Sequence, residues 1–256
     1  LELLGCKVTG LYCELDGRFP YHHPDPTVLE NLADLMQAVK AHKADVGIGY
    51  DGDADRIGAV DEHGNVLWGD RLMVVYSRDI LAVKPGSIII SEVKASQSLY
   101  DDIAGHGGRP VMWKTGHSLI KAKMKEEKAV LAGEMSGHMF FADRYFGYDD
   151  AVYASCRLVE ILAKGVKPLS ALVADLPNTT VTPEIRVDLP DAIKFDVVQR
   201  IRGRFETYAK NRQGLGPDQR KVRELVTIDG VRAVFDDGWG LIRASNTQPA
   251  LVLRFE

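Results

Sequence analysis

Strand-and-helix alternation through residues 69–164, a change of character near Leu176-Pro177-Asn178, and Asp-Gly turns in the tail predict an α/β protein. The expected order is a short α/β unit, then a three-layered and mostly parallel α/β domain, then an α+β domain with an antiparallel sheet. At 256 residues the chain is long enough for two or three such cores.

Taken in order, Leu1–Cys6 resembles the last turn of a helix with its Gly5 cap, so the chain is expected to start inside an element. Thr27-x-x-Glu30 after Pro26 is a capping-box pattern, and Val28, Leu29, Leu32, Leu35, Met36 and Val39 repeat on one helical face. A strand over 45–50, expected to be buried, runs into an aspartate loop, and a short hairpin through His63-Gly64-Asn65 closes a unit at residues 1–65.

A helix from Gly69 is expected to stop at Lys84-Pro85-Gly86. Strands at 87–91, 111–113 and 129–132 then alternate with helices at 96–103, 117–125 and 149–164, completing a domain over 66–177. In the segment 178–256, a strand at 184–189 precedes a helix at 195–208 and a polar loop over 210–217. Asp229-Gly230 and Asp237-Gly238 then punctuate antiparallel hairpins, and the final strand, Ala250–Glu256, stops in mid-run.

The 36 acidic and 32 basic residues nearly balance (net −4), and there is no basic block, so nucleic acid is not an expected partner. No apolar run approaches a membrane span, which argues against a membrane partner. Cys6, Cys13 and Cys156 are odd in number and lack metal spacing, which suits reduced residues and a cytoplasmic location.

The chemistry is concentrated in a few loops. Asp51, Asp53 and Asp55 alternate, and an extended backbone would place them on one side. Carboxylates about 4 Å apart repel by roughly 1 kcal/mol in water and about 4 kcal/mol at an effective dielectric of 20, so the set calls for a cation. All-oxygen donors favour Mg²⁺ or Ca²⁺ over zinc. An EF-hand is excluded because Arg56 stands where its loop requires glycine, and the flanks are β-type. Gly47-x-Gly49-x-x-Gly52 mimics a dinucleotide fingerprint, but it would aim three carboxylates at a pyrophosphate and leads into another strand.

Glu134, Ser136 and His138, hinged by Gly133 and Gly137, offer donors and acceptors suited to neighbouring sugar hydroxyls. Arg243, Ser245, Asn246 and Thr247 form a plausible phosphate cradle, since a guanidinium fork matches phosphate oxygens. Lys94 and His117 fall at carboxyl ends of strands, where parallel α/β domains bind ligands. Together these loops imply a phosphorylated sugar.

The segments DGDADR (51–56), KTGHS (114–118), GEMSGH (133–138) and RASNTQP (243–249) resemble the signature loops of the α-D-phosphohexomutases, most nearly the bacterial phosphomannomutase/phosphoglucomutase group. The likeness covers essentially the whole chain in the family's order. It implies two three-layered α/β/α mutase-type domains, the first incomplete, followed by the α+β domain. It further implies that hexose 1- and 6-phosphates, of mannose or glucose, interconvert through a phosphoserine, with hexose 1,6-bisphosphate as intermediate and activator.

By that resemblance Asp51, Asp53 and Asp55 bind Mg²⁺, and Arg56 reaches the substrate or the phosphoserine. Lys94 and His117 contact substrate, with His117 assisting proton transfer. Glu134 and Ser136 read sugar hydroxyls, His138 supports their loop, and Arg243, Ser245, Asn246 and Thr247 hold the non-transferring phosphate. The family's serine motif, resembling T-A-S-H-N-P, is absent. The expected partner is therefore a missing N-terminal domain of the same chain, and the 256 residues alone are expected to be inactive. Phosphoglucosamine mutase is the alternative, though Met135 stands where that group usually has Gln. A Mg²⁺-dependent phosphatase with Asp51 as nucleophile and a non-catalytic sugar-phosphate sensor are the others.

Overall fold

In the computed structural model, which describes residues 1–14, 16–210 and 221–256, the chain divides into two compact units. The first comprises Leu1–Met112 and Gly116–Leu176; the second comprises Trp113–Thr115 and Pro177–Glu256. The expected polar loop over 210–217 lies outside the described residues from 211 onward.

The first unit contains two sheets. Strands β1 (Val46–Tyr50), β2 (Ile57–Asp61) and β3 (Val66–Leu67) form an antiparallel meander, with Tyr50 opposite Ile57. Helix α1 (Ala33–His42) packs on β1 and β2. The glycines of the false dinucleotide motif have a packing reason: a Cβ on Gly47 would lie 2.6 Å from Val39 Cγ2, so glycine lets α1 sit close. β1 is only partly buried, with Tyr50 38% exposed; the fully buried strand is β2, contrary to the expectation for 45–50. A central strand covered on both faces gains more from burial than the edge strand that precedes it.

The expected capping box does not form. Thr27 turns its hydroxyl and its N–H to Asp25 Oδ1, at 2.7 and 2.9 Å. The chain then passes through a 3-10 turn, Leu29–Leu32, before α1 begins. Asp25 holds the Thr27 hydroxyl and N–H in a local turn, and the Thr27 oxygen accepts no helix N–H.

The second sheet has the order β5-β4-β6-β7, from β4 (Ile88–Glu92), β5 (Arg109–Trp113), β6 (Leu131–Gly133) and β7 (Met139–Phe141). β4 and β6 are parallel, but β7 returns antiparallel to β6. That strand was not expected from sequence, and a tight turn over 134–137 makes it. Helices α2 (Gly69–Val83), α4 (His117–Glu127) and α5 (Ala151–Lys164) pack on these strands, and α2 packs on α3 (Gln97–Gly105). Ser96 caps α3 and Asp150 caps α5 through side-chain hydrogen bonds. α2 and α5 also reach β2, so a single core joins Ile57 and Ala59 of the first sheet to Leu131, Met139 and Phe141 of the second.

The second unit is an antiparallel sheet of order β8-β12-β11-β10-β9, as the tail's turn signals predicted. Its strands are β8 (Ile185–Asp188), β9 (Glu224–Val226), β10 (Val231–Val234), β11 (Trp239–Ala244) and β12 (Ala250–Phe255). Helix α6 (Asp191–Lys210) covers β10, β11 and β12, around a small core of Val198, Ala244 and Leu251.

Candidate active site

The aspartate loop is the six-residue connection between β1 and β2. Its carboxylates converge because the backbone turns at Ala54 (φ 59°), not because the chain is extended as the alternation suggested. Ligand oxygens of Asp51, Asp53 and Asp55 all lie within 4.8 Å of one another. Asp51 is buried, and its Oδ1 accepts the N–H groups of Asp55 and Arg56 at 3.1 Å each. Its Oδ2 accepts Arg56 Nε at 2.7 Å, and Arg56 Nη1 reaches Asp25 Oδ1 at 3.3 Å. Arg56 is thus folded back onto the acids.

Burial opposes ionisation of Asp51, but the Arg56 hydrogen bonds outweigh it and hold the carboxyl below its usual range. Asp55 is pushed the other way, by burial and by the charges of Asp51, Asp53 and Asp149, against relief from His138. An acidic centre raised by its own neighbours is one that a divalent cation would stabilise, and three carboxylates are a suitable hard-donor set. With both Asp51 oxygens engaged in the loop, the geometry gives no support to an aspartyl nucleophile.

The loop after β6 is held against the aspartate loop by backbone. Ile57 N–H donates to Gly137 O at 3.0 Å, and Arg56 and His138 form an isolated antiparallel bridge. At the α5 N-terminus, Ala151 N–H donates to Ala54 O at 3.1 Å, fixing the turn from the other side. Gly137 has φ 96°, and a Cβ there would fall 2.5 Å from Ile57 O, so only glycine permits this junction.

Within that frame Glu134 is buried, its Oε1 accepting the Gly116 N–H at 2.7 Å, and Gly116 precedes His117 at the start of α4. Burial, then the neighbouring Glu92, pushes the Glu134 carboxyl up. Ser136 is half-buried in the turn. Lys94 is buried two residues beyond β4, its N–H donating to Glu92 Oε2 at 2.6 Å. His117 is exposed and stacks on His138, with ring centroids 5.6 Å apart and planes 15° from parallel.

His138 Nδ1 lies 3.1 Å from Asp149 Oδ2 and 3.5 Å from Asp55 Oδ1. Burial works against its imidazolium, yet Asp149, Glu134 and Asp55 prevail and raise its pKa. Asp51, Asp53, Asp55, Arg56, His138, Glu134 and His117 therefore gather in the first unit.

Sequence reasoning missed two acids there. Asp149 is half-buried with its side chain turned inward; its Oδ1 accepts Lys121 Nζ at 2.9 Å, while its Oδ2 faces both His138 and His117, the latter at 3.6 Å. The doubled Asp149-Asp150 before an apolar helix was the available signal, since one aspartate suffices as a cap. Glu92 is fully buried and uses its other oxygen to accept the Met135 N–H at 3.2 Å, tying Lys94 to the Glu134 loop. An acid closing a β-branched run was its only mark in the sequence.

In the second unit, the turn between β11 and β12 carries the remaining set. Arg243 is buried with Nε on Asp229 Oδ2 at 2.9 Å, and its Nη2 has no hydrogen-bond partner. Ser245 Oγ accepts the N–H groups of Thr247 and Gln248 at 3.3 and 3.1 Å, shaping the turn. Asn246 and Thr247 are exposed, and Asn246 Nδ2 donates to Thr115 O at 3.4 Å. A buried, half-committed guanidinium beside exposed amide and hydroxyl groups suits an anion.

Family comparisons account for nearly every residue. Models described as phosphoglucomutase/phosphomannomutase alpha/beta/alpha domain II, alpha/beta/alpha domain III and C-terminal domain match residues 1–64, 68–180 and 184–256. A phosphomannomutase/phosphoglucomutase of Pseudomonas aeruginosa is 47% identical over the whole chain, which covers 52% of that protein. A phosphoglucomutase of Neisseria gonorrhoeae is 45% identical over 254 residues, 99% of this chain and 52% of that one. The crystal structure of a phosphoglucomutase/phosphomannomutase family protein from Burkholderia thailandensis superposes with a TM-score of 0.87 at 42% identity, covering all of this chain and 52% of that chain. The chain spans about half the length of the curated relatives it matches.

Proposed function

The chain belongs to the phosphoglucomutase/phosphomannomutase family, and from that premise we propose that it supplies the metal-, sugar- and phosphate-binding parts of a hexose-phosphate mutase. Segments 1–65, 66–177 and 178–256 would carry those three tasks in turn. The observation that carries the reading is the Ile57–Gly137 backbone junction, which sets the aspartate loop beside the loop bearing Glu134 and His138.

Asp51, Asp53 and Asp55 would hold Mg²⁺, whose contribution is to neutralise charge on a phosphoryl group in transfer. Arg56 balances the same acids and is placed to turn to a phosphate when the cation takes its position. Glu134 and Ser136 would bind sugar hydroxyls, with Lys94 and His117 completing the substrate contacts. His138, half-buried against Asp149 and Asp55, is the imidazole best placed to hold a proton for a sugar hydroxyl, more so than exposed His117. Arg243, Ser245, Asn246 and Thr247 would hold the second phosphate, a binding handle independent of which phosphate reacts.

The substrates proposed are mannose and glucose phosphates, with hexose 1,6-bisphosphate as intermediate, in the cytoplasm. The remaining partner is a phosphoserine donor in the part of the relatives that these 256 residues do not cover. Two measurements test this. Calorimetric titration with glucose 1-phosphate should show binding that Arg243→Ala weakens about tenfold or more, as loss of a charge-assisted phosphate contact implies. Equal binding by both would remove the phosphate role. The 256-residue chain should not convert glucose 1-phosphate to 6-phosphate; turnover by the pure chain would show that no separate seryl donor is needed.

A further inference from the structure

The geometry points to a second cation site, built from Asp55, His138 and Asp149 and suited to a borderline transition-metal ion such as Zn²⁺. One ligand atom from each residue lies within 4.8 Å of the other two. His138 Nδ1 is 3.1 Å from Asp149 Oδ2 and 3.5 Å from Asp55 Oδ1. Around a tetrahedral zinc with bonds of about 2.0–2.1 Å, ligand atoms stand about 3.3 Å apart, so these separations already bracket the requirement.

A second observation concerns what these atoms do without an ion. His138 Nδ1 and Asp149 Oδ2 are buried, and despite their proximity neither has a hydrogen-bond partner. The Asp149 side chain is 7% exposed. Buried polar atoms that face each other without sharing an aligned proton carry a desolvation cost that a coordinated cation would relieve. Lys121 engages only Asp149 Oδ1, leaving Oδ2 available, and His117 Nδ1 stands 3.6 Å from that same Oδ2 as a further donor. An imidazole nitrogen with two carboxylates selects against Mg²⁺, which prefers oxygen alone, and towards zinc. The site shares Asp55 with the all-aspartate set but uses neither Asp51 nor Asp53.

The site does not rest on the mutase reading, and the sugar-phosphate titration above does not bear on it. Calorimetry of the 256-residue chain should show Zn²⁺ binding tighter than Mg²⁺. Both His138→Gln and Asp149→Asn should weaken Zn²⁺ about tenfold or more, while Asp53→Asn changes it by less than about threefold. Because a variant could fail to fold, imidazole ¹⁵N spectra of the unmodified chain give an independent reading. Addition of Zn²⁺ should displace the His138 Nδ1 resonance. Zinc binding that leaves this resonance unmoved, survives His138→Gln, or is lost with Asp53→Asn alone would overturn the site. So would Zn²⁺ affinity no greater than that for Mg²⁺.

Discussion

Single residues set the contact between the aspartate loop and the loop after β6. Gly137 combines a left-handed backbone with a 2.5 Å approach to Ile57 O, so Gly137→Ala adds both strain and a clash with backbone. The expected loss is about 2 kcal/mol or more, read from urea denaturation, with accompanying disorder of the Glu134–His138 turn. At the aspartates, burial and then repulsion from Asp51, Asp53 and Asp149 raise Asp55, and a cation would relieve the repulsion. Millimolar Mg²⁺ should therefore raise the melting temperature of the chain, and Asp53→Asn should remove most of that increment. A melting temperature indifferent to Mg²⁺ would count against the aspartate set as a hard-cation site.

Helix α5 is the element that ties the first unit together, and it does so partly with charge. Arg157 on α5 is buried, with Nη1 3.1 Å from Asp143 Oδ2, while Lys84 Nζ lies 2.6 Å from Asp143 Oδ1. Burial resists ionisation of Asp143, but Lys84 and Arg157 hold its carboxyl below the usual range. Arg144 and then Lys164 pull Glu160 down to about 2. Carboxyls depressed in the folded state contribute stability that is present above their unfolded values, about 3.9 and 4.3, and is lost as pH falls through the folded ones. Stability should thus decline on acidification from about pH 5 towards 2. Asp143→Asn should flatten part of that slope and cost about 3 kcal/mol near neutrality, because Arg157 keeps a buried charge. Denaturant titrations across pH would show whether the slope changes.

Across the whole molecule, three family models map onto two compact units. The core joining Ile57 and Ala59 to Leu131 and Phe141 makes residues 1–112 and 116–176 one packing unit, although they match two family domains. Calorimetric unfolding of the chain should therefore show two transitions, one for each unit. Three transitions would mean that the shared core does not couple the first two family segments. Among the described residues no helix is long and apolar enough to cross a membrane.

The sequence by itself determined the elements and the family, because both are local. Strand-helix alternation, the Asp-Gly turns of the tail, the Gly5 and Gly165 helix ends and the four signature loops are all written in runs of a few residues. Local propensity could not settle the Thr27 cap, where Asp25 draws the hydroxyl into a turn of its own, or the antiparallel return of β7. The meeting of Asp55 with His138 and Asp149, residues up to 94 positions apart in number, was decided only by tertiary structure. Charges that distant in sequence acquire a common environment only when packing brings them together and excludes water, and that environment governs the chemistry of the aspartate and histidine loops.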